Sequence, residues 1–182
     1  MSINIRSHRS RAQQQGVGMV EVLVAMLLLA IGVLGFSILQ VRAVEATYEA
    51  GNRSQAMLVL RGLAEEIRAN SDSVGQSSYP AAVSGFNSSS APTAPTSCNN
   101  VTTACSPTAM ATWDAYQSAL AANGLGIQIN MTTCPGDTTS NRQCLLAAWG
   151  KSTPTIGTGS ADCMQSTGSY NAAATCVMME AY

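Results

Sequence analysis

The chain has 182 residues, only 10% of them charged, and a formal net charge of −1. Past residue 16, six basic residues face ten acids, a balance of −4 with a single lysine, Lys151. A mildly acidic, lysine-poor body excludes a nucleic-acid-binding surface, and the length leaves room for one ordinary globular domain.

Residues 1–16 are a short basic leader with Arg6, Arg9, Arg11, the only histidine (His8) and no acid. Val22 to Leu39 is then an unbroken run of eighteen uncharged, mostly apolar residues. As a helix it covers ~27 Å, close to the ~30 Å hydrocarbon core of a bilayer. The wider segment 17–41 holds one charge, Glu21. A charge inside a bilayer costs roughly 2.5–3.5 kcal/mol, which predicts a use for Glu21. The bland alternative is a carboxylate snorkelling to the headgroups from near the segment end. Arginines ahead of the run put the N-terminus in the cytoplasm and the chain after Arg42 outside.

Three readings of this segment compete. An ordinary secretory signal has an apolar core of ~7–15 residues and a small-x-small cut site; here the run is longer and only Val44-Glu45-Ala46 loosely fits. A permanent anchor explains length and orientation but gives Glu21 no role. A signal cut on the cytoplasmic side of the run, after Gly16, frees an α-amino group at Val17. A carboxylate in low dielectric needs a countercharge or it neutralises, and that amine supplies one.

The helical pattern continues through 42–70 without a proline, with Gly51-Asn52 as its one turn candidate. Met57, Leu60, Leu63 or Ala64, and Ile67 recur every three to four residues, an amphipathic stripe. Asn70-Ser71 closes it. One helix over about 17–70 would run ~80 Å. Gly32 and Gly35 weaken its apolar half by ~1 kcal/mol each relative to alanine.

Residues 71–182 form the head. The stretch 71–97 is rich in Ser, Ala, Pro and Gly, with Tyr79 and Phe86 isolated in it, and reads as a long surface loop. Ser106-Pro107 fits an N-cap followed by proline at the first helical position. Residues 110–123 read as a helix stopped by Gly124, with Trp113, Tyr116 and Leu120 on a face predicted to be core. Residues 125–133 alternate as a strand, 143–151 and 174–182 are further strand candidates, and Pro135-Gly136-Asp137 starts a turn between the first two. The expected fold is α+β, a small antiparallel sheet packed on the long helix.

All six cysteines lie in this half: Cys98, Cys105, Cys134, Cys144, Cys163 and Cys176. An even count in a small domain outside the cytosol reads as disulfides. Wide, irregular spacing without a nearby histidine argues against zinc. Fifteen pairings are possible. Sequential ones are favoured: Cys134 and Cys144 flank one hairpin loop, Cys98 and Cys105 close a short loop ahead of the helix, and Cys163 and Cys176 tie the segment before the last strand.

Nothing points to catalysis, a metal or a cofactor. The only histidine is in the leader. Asp72, Asp114, Asp137, Asp162 and Glu180 are dispersed, without the spacing of a calcium loop. Gly157-Thr158-Gly159-Ser160 lacks the lysine and following helix of a phosphate loop.

Gln15-Gly16 followed by Val17-Gly18-Met19-Val20-Glu21-Val22-Leu23-Val24-Ala25-Met26 resembles the prepilin signature. The helix end Leu58-Val59-Leu60-Arg61-Gly62-Leu63-Ala64-Glu65-Glu66-Ile67-Arg68-Ala69-Asn70 is similar to that of minor pilins known as type IV pilus modification proteins of the PilV type. The resemblance covers about residues 10–70. It implies cleavage after Gly16 by a prepilin peptidase, N-methylation of Val17, and an assembly role for Glu21. Val17 departs from the usual phenylalanine or methionine at the first mature position. It further implies a disulfide-tied, type IV pilin-like fold, with 17–41 as transmembrane and filament-core half and 42–70 as amphipathic half. The expected protein is a minor pilin of the filament or of its initiating tip complex. It would sit in the inner membrane with a periplasmic head, then in an extracellular pilus. Expected partners are other minor pilins, the major pilin and a tip adhesin. The alternatives are a minor pseudopilin of a type II secretion system and a signal-anchored periplasmic binding module.

Overall fold

The computed structural model describes residues 16, 18–100, 102, 104–136 and 141–182, so the leader through residue 15, Val17 and Asp137 lie outside the described residues. The chain divides into two compact units, one up to Glu45 and one from Ala46. Helix α1 (Met19–Ala69) contributes to both. Gly51 and Asn52 are helical within it, so the turn candidate does not interrupt the expected single helix.

In the first unit, α1 is exposed all round. An 18-residue window reaches a mean hydropathy of 2.8 with none of it buried. Its one apolar-run hydroxyl, Ser37 Oγ, donates to the Val33 carbonyl at 2.9 Å, which satisfies the group inside the helix.

In the second unit, α1 buries Asn52, Ala56, Leu60, Leu63, Ala64 and Ile67. The stripe predicted from spacing is thus the buried one, except that Met57 is only half-buried. It packs with α2 (Ser73–Gly85), α3 (Pro107–Gly124) and one face of a three-stranded sheet of β1 (Ile127–Thr133), β2 (Gln143–Trp149) and β5 (Cys176–Glu180). Both strand pairs are antiparallel, in the order β1-β2-β5, with Ile127 opposite Trp149 and Cys144 opposite Glu180.

Helix α2 corrects the expectation of a structureless 71–97. Asp72 caps it, its carboxylate accepting from the Val74 and Gly75 amides at 2.8 and 3.3 Å. Such a cap is worth ~1 kcal/mol. The helix tolerates an internal Pro80 because Tyr79 and Val83 bury one face against the core. Tertiary burial overrides a poor local propensity. After Gly85 the described residues up to the Ser106 cap of α3 lack regular structure.

Helix α3 corrects a second expectation. Its buried face is Ala111, Ala115, Ser118, Ala119 and Ala122, while Leu120 is 42% exposed. Trp113 and Tyr116 sit at the rim, ring centroids 5.6 Å apart, and Phe86 joins at 6.0 Å from Tyr116. Small side chains let the helix approach its neighbours closely, and the large rings cover the edge of the contact.

The sheet has two covered faces. Ile127, Ile129, Met131, Leu145, Ala147 and Trp149 point to the helices. Cys144, Leu146, Ala148 and Cys176 point the other way, into a second cluster with Cys134, Cys163 and Met164. That outer layer includes β3 (Thr153–Ile156) and β4 (Asp162–Met164), a short parallel pair not foreseen from sequence. Asp162 holds it: Thr155 Oγ1 donates to Oδ1 at 2.5 Å and the Gly159 amide to Oδ2 at 2.7 Å. A Cβ on Gly157 would lie 2.4 Å from Asp162 Oδ2, so the loop requires glycine there.

The disulfides are Cys98–Cys105, Cys134–Cys144 and Cys163–Cys176, the sequential pairing. The last two lie in the outer cluster. Closing loops this short stabilises by roughly 2–3 kcal/mol each in the chain-entropy picture.

Gly75 is buried in the first turn of α2, where a Cβ would come 2.5 Å from Asn70 Oδ1. Asn70 is not free to move, since its Nδ2 donates to the Pro107 carbonyl at 2.9 Å. Gly75→Ala is therefore expected to destabilise the head by about 1–3 kcal/mol, read from denaturant melts followed by circular dichroism. An unchanged midpoint would mean that Asn70 yields without loss.

Candidate functional site

The segment singled out by sequence opens the first unit. Gly16 and Gly18 are exposed and non-helical. The Gly18 carbonyl accepts from the Glu21 and Val22 amides at 2.9 and 3.3 Å, starting α1. Glu21 stands in the first turn, exposed. A carboxylate there is favoured by the helix dipole, by about 0.3–1 kcal/mol. Beyond it Leu23, Leu27, Leu34 and Ile38 are each 60% exposed or more. At the far end Arg42 pairs with Glu45 at 3.4 Å.

The second unit holds two polar sites that sequence reading passed over. Trp149 is 4% exposed, and its Nε1 donates to Glu49 Oε2 at 2.9 Å, with Arg53 3.5 Å from the other Glu49 oxygen. One helical turn on, Asn52 is buried with an Nδ2 that has no partner among the described residues. The second site is a corner between α1, α2 and α3. Tyr79, fully buried, donates its hydroxyl to Asp114 Oδ2 at 2.5 Å and accepts from Asn70 Nδ2 at 3.4 Å. Ser118 Oγ donates to Glu66 Oε2 at 3.1 Å. Burial raises the Glu66 carboxyl, and the Asp114 charge raises it further. Burial raises Asp114 as well, against the lowering effect of the Tyr79 hydrogen bond. Asp162, by contrast, is held below the usual range by the Thr155 hydroxyl and the Gly159 amide.

Little in the sequence marks these sites. Tyr79 and Val83, four apart, were a usable sign of α2, hidden by serine and proline. Glu49, Glu66 and Asp114 look like ordinary surface acids until the fold surrounds them. Of the other dispersed acids, Asp72 is a helix cap and Glu180 pairs with Arg142 at 3.1 Å. Among the described residues no group of histidine, cysteine, aspartate and glutamate is arranged to hold a metal ion.

An exposed apolar helix, led by a glycine and a carboxylate and continued into a disulfide-tied α+β head, has the build of a filament subunit with a prepilin signal. Residues 11–37 match the prokaryotic N-terminal methylation motif, and residues 38–116 match the family described as type IV pilin Tt1218. The two matches support a type IV pilin with a prepilin signal. No match is found among curated proteins or among solved structures. The family is a structural one, whose members associate with other pilins and are processed by a prepilin peptidase. The signal and the apolar helix mark a membrane-anchored subunit that passes into a pilus.

Glu49→Ala would leave the buried Trp149 indole N–H without its acceptor. A loss of about 1–3 kcal/mol is expected, with most of it restored in Glu49→Gln, whose amide oxygen still accepts. Denaturant melts of the two variants check this, and equal losses in both would show that the hydrogen bond contributes little.

Proposed function

We propose that this chain is a minor pilin of the PilV type that enters a type IV pilus, or the tip complex that initiates one, and performs no catalysis. The observation that carries the reading is the unburied apolar helix headed by Glu21. In water such a surface is costly, at roughly 25 cal/mol per Å². Lipid covers it before assembly and neighbouring helices cover it afterwards. Residues 17–41 serve as this dual-environment half, residues 42–70 carry the head, and the head of 71–182 faces outward. The arginine-bearing leader stays cytoplasmic, and the head reaches the periplasm, where its three disulfides form.

Glu21 has its role at the transition between the two environments. Cleavage after Gly16 frees the Val17 amine, which is then methylated and remains a cation. In apolar surroundings the carboxylate needs such a partner, offered by its own chain or by an adjacent subunit. Processing thereby makes the segment able to pack. Partners in this reading are the major pilin, other minor pilins and a tip adhesin.

N-terminal sequencing and mass spectrometry of the cellular protein test the assignment. The expected start is a methylated Val17, in sheared pili, at a small fraction of the major subunit. An intact leader, or a start after Ala46, would overturn it. Presence in the membrane but absence from sheared filaments would favour a type II pseudopilus subunit. Glu21→Ala is expected to insert and be cleaved normally, yet to be depleted from filaments. Normal incorporation of that variant would remove the role given to Glu21.

A further inference from the structure

Glu66, on the last turns of α1, and Asp114, within α3, line one cleft of about 350 Å³ together with Asn70, Pro107 and Met110. Each carboxylate has one hydroxyl donor, Ser118 for Glu66 and Tyr79 for Asp114. Neither has an ion-pair partner among the described residues. The cations of α1 near the corner, Arg61 and Arg68, are both exposed. On α1 the nearby Arg68 is engaged with Glu65 in an exposed pair. The ionisable groups of α2 and α3 are Tyr79, Asp114 and Tyr116 only, and Tyr116 stacks on Trp113 and Phe86. The sheet turns an apolar face inward. Two carboxylates lining one partly dry cleft repel when both are ionised, and protonation of either relieves this.

We propose that the α1–α2–α3 corner is a proton-operated latch, closed while Glu66 or Asp114 is protonated and loosened when both are ionised. What the latch controls follows from its attachments. Asn70 Nδ2 joins the corner to the Pro107 carbonyl at the first turn of α3. Cys105 lines the same cleft and is bonded to Cys98. Ionisation therefore loosens the start of α3 and the Cys105 that precedes it. The head of a subunit outside the cytoplasm meets the pH of its surroundings, so the device makes the start of α3 respond to acidity. It is independent of whether the subunit sits at a pilus tip or in the shaft.

Both carboxyls are raised by burial. A carboxyl raised in the folded state contributes stability that is fully present below its unfolded value of about 4 and is lost as pH rises through the folded value. Asp162 is depressed, so its contribution has the opposite sign and is lost on acidification.

The test uses the full chain in detergent micelles between pH 4 and pH 8. Wild type is expected to lose thermal stability toward pH 8 relative to Glu66→Gln, which mimics the protonated carboxyl and keeps an acceptor for Ser118. The two are expected to converge near pH 4. Amide exchange in residues 104–110, corrected for its intrinsic pH dependence, is expected to accelerate toward pH 8 in wild type and not in the variant. Carboxyl-carbon NMR of wild type is expected to give midpoints for Glu66 and Asp114 above the ordinary carboxyl range. Parallel stability curves for wild type and Glu66→Gln, or ordinary midpoints for both groups, would overturn the proposal. The NMR measurement decides the matter even if the variant does not fold.

Discussion

Leu60, Leu63 and Ile67 are each at most 1% exposed, and the layers of the head meet on them. Full burial of such side chains stabilises by roughly 1.5–3 kcal/mol apiece. Their stripe on α1 is at once the floor for α2 and α3 and the cover for one face of the sheet. Helix α2 depends on it most directly, because serine, glycine and proline give that segment little reason to be helical alone. The alanine face of α3 likewise has meaning only against neighbours close enough to use it.

The rest of the head is arranged to protect this contact. Trp149 closes one end, with its only polar atom satisfied by Glu49. Asn70 closes the other, bridging the end of α1 to the start of α3. The outer face of β2 is sealed separately by β3, β4 and two disulfides. A head this small gains from such cross-links, since short chains bury a smaller share of their surface. In the first unit the apolar window of α1 is unburied among the described residues. Within one helix, the second part buries its apolar stripe in the head and the first keeps its apolar surface exposed.

How far the sequence could be read depends on the range of the signal. The apolar run, its single carboxylate and the glycine before it are contiguous, so length and composition suffice. The stripe 60–67 and the strands around Ile127–Met131 have periods that local inspection recovers. The Ser106-Pro107 cap is a local pattern too. Residues 73–85 misled because their helix is stabilised from outside, by Tyr79 and Val83 reaching a core that the local sequence does not contain. Trp113, Tyr116 and Leu120 share a face, but their size does not set their depth. A tight helix contact prefers alanine at its centre and pushes large side chains to its margin.

The sequence by itself determined the covalent and periodic features: a basic leader, a bilayer-length apolar helix with Glu21 near its start, an amphipathic continuation, and cysteines close enough to pair in order. Each follows from neighbours along the chain. Only the tertiary structure decided which acids matter in the head. Glu49 meets Trp149 from one hundred residues away, and Asp114 meets Tyr79 from thirty-five. The environment that raises Glu66 and Asp114 comes from burial by other elements. A carboxylate's chemistry is set by what surrounds it, and in this head those surroundings are assembled by folding.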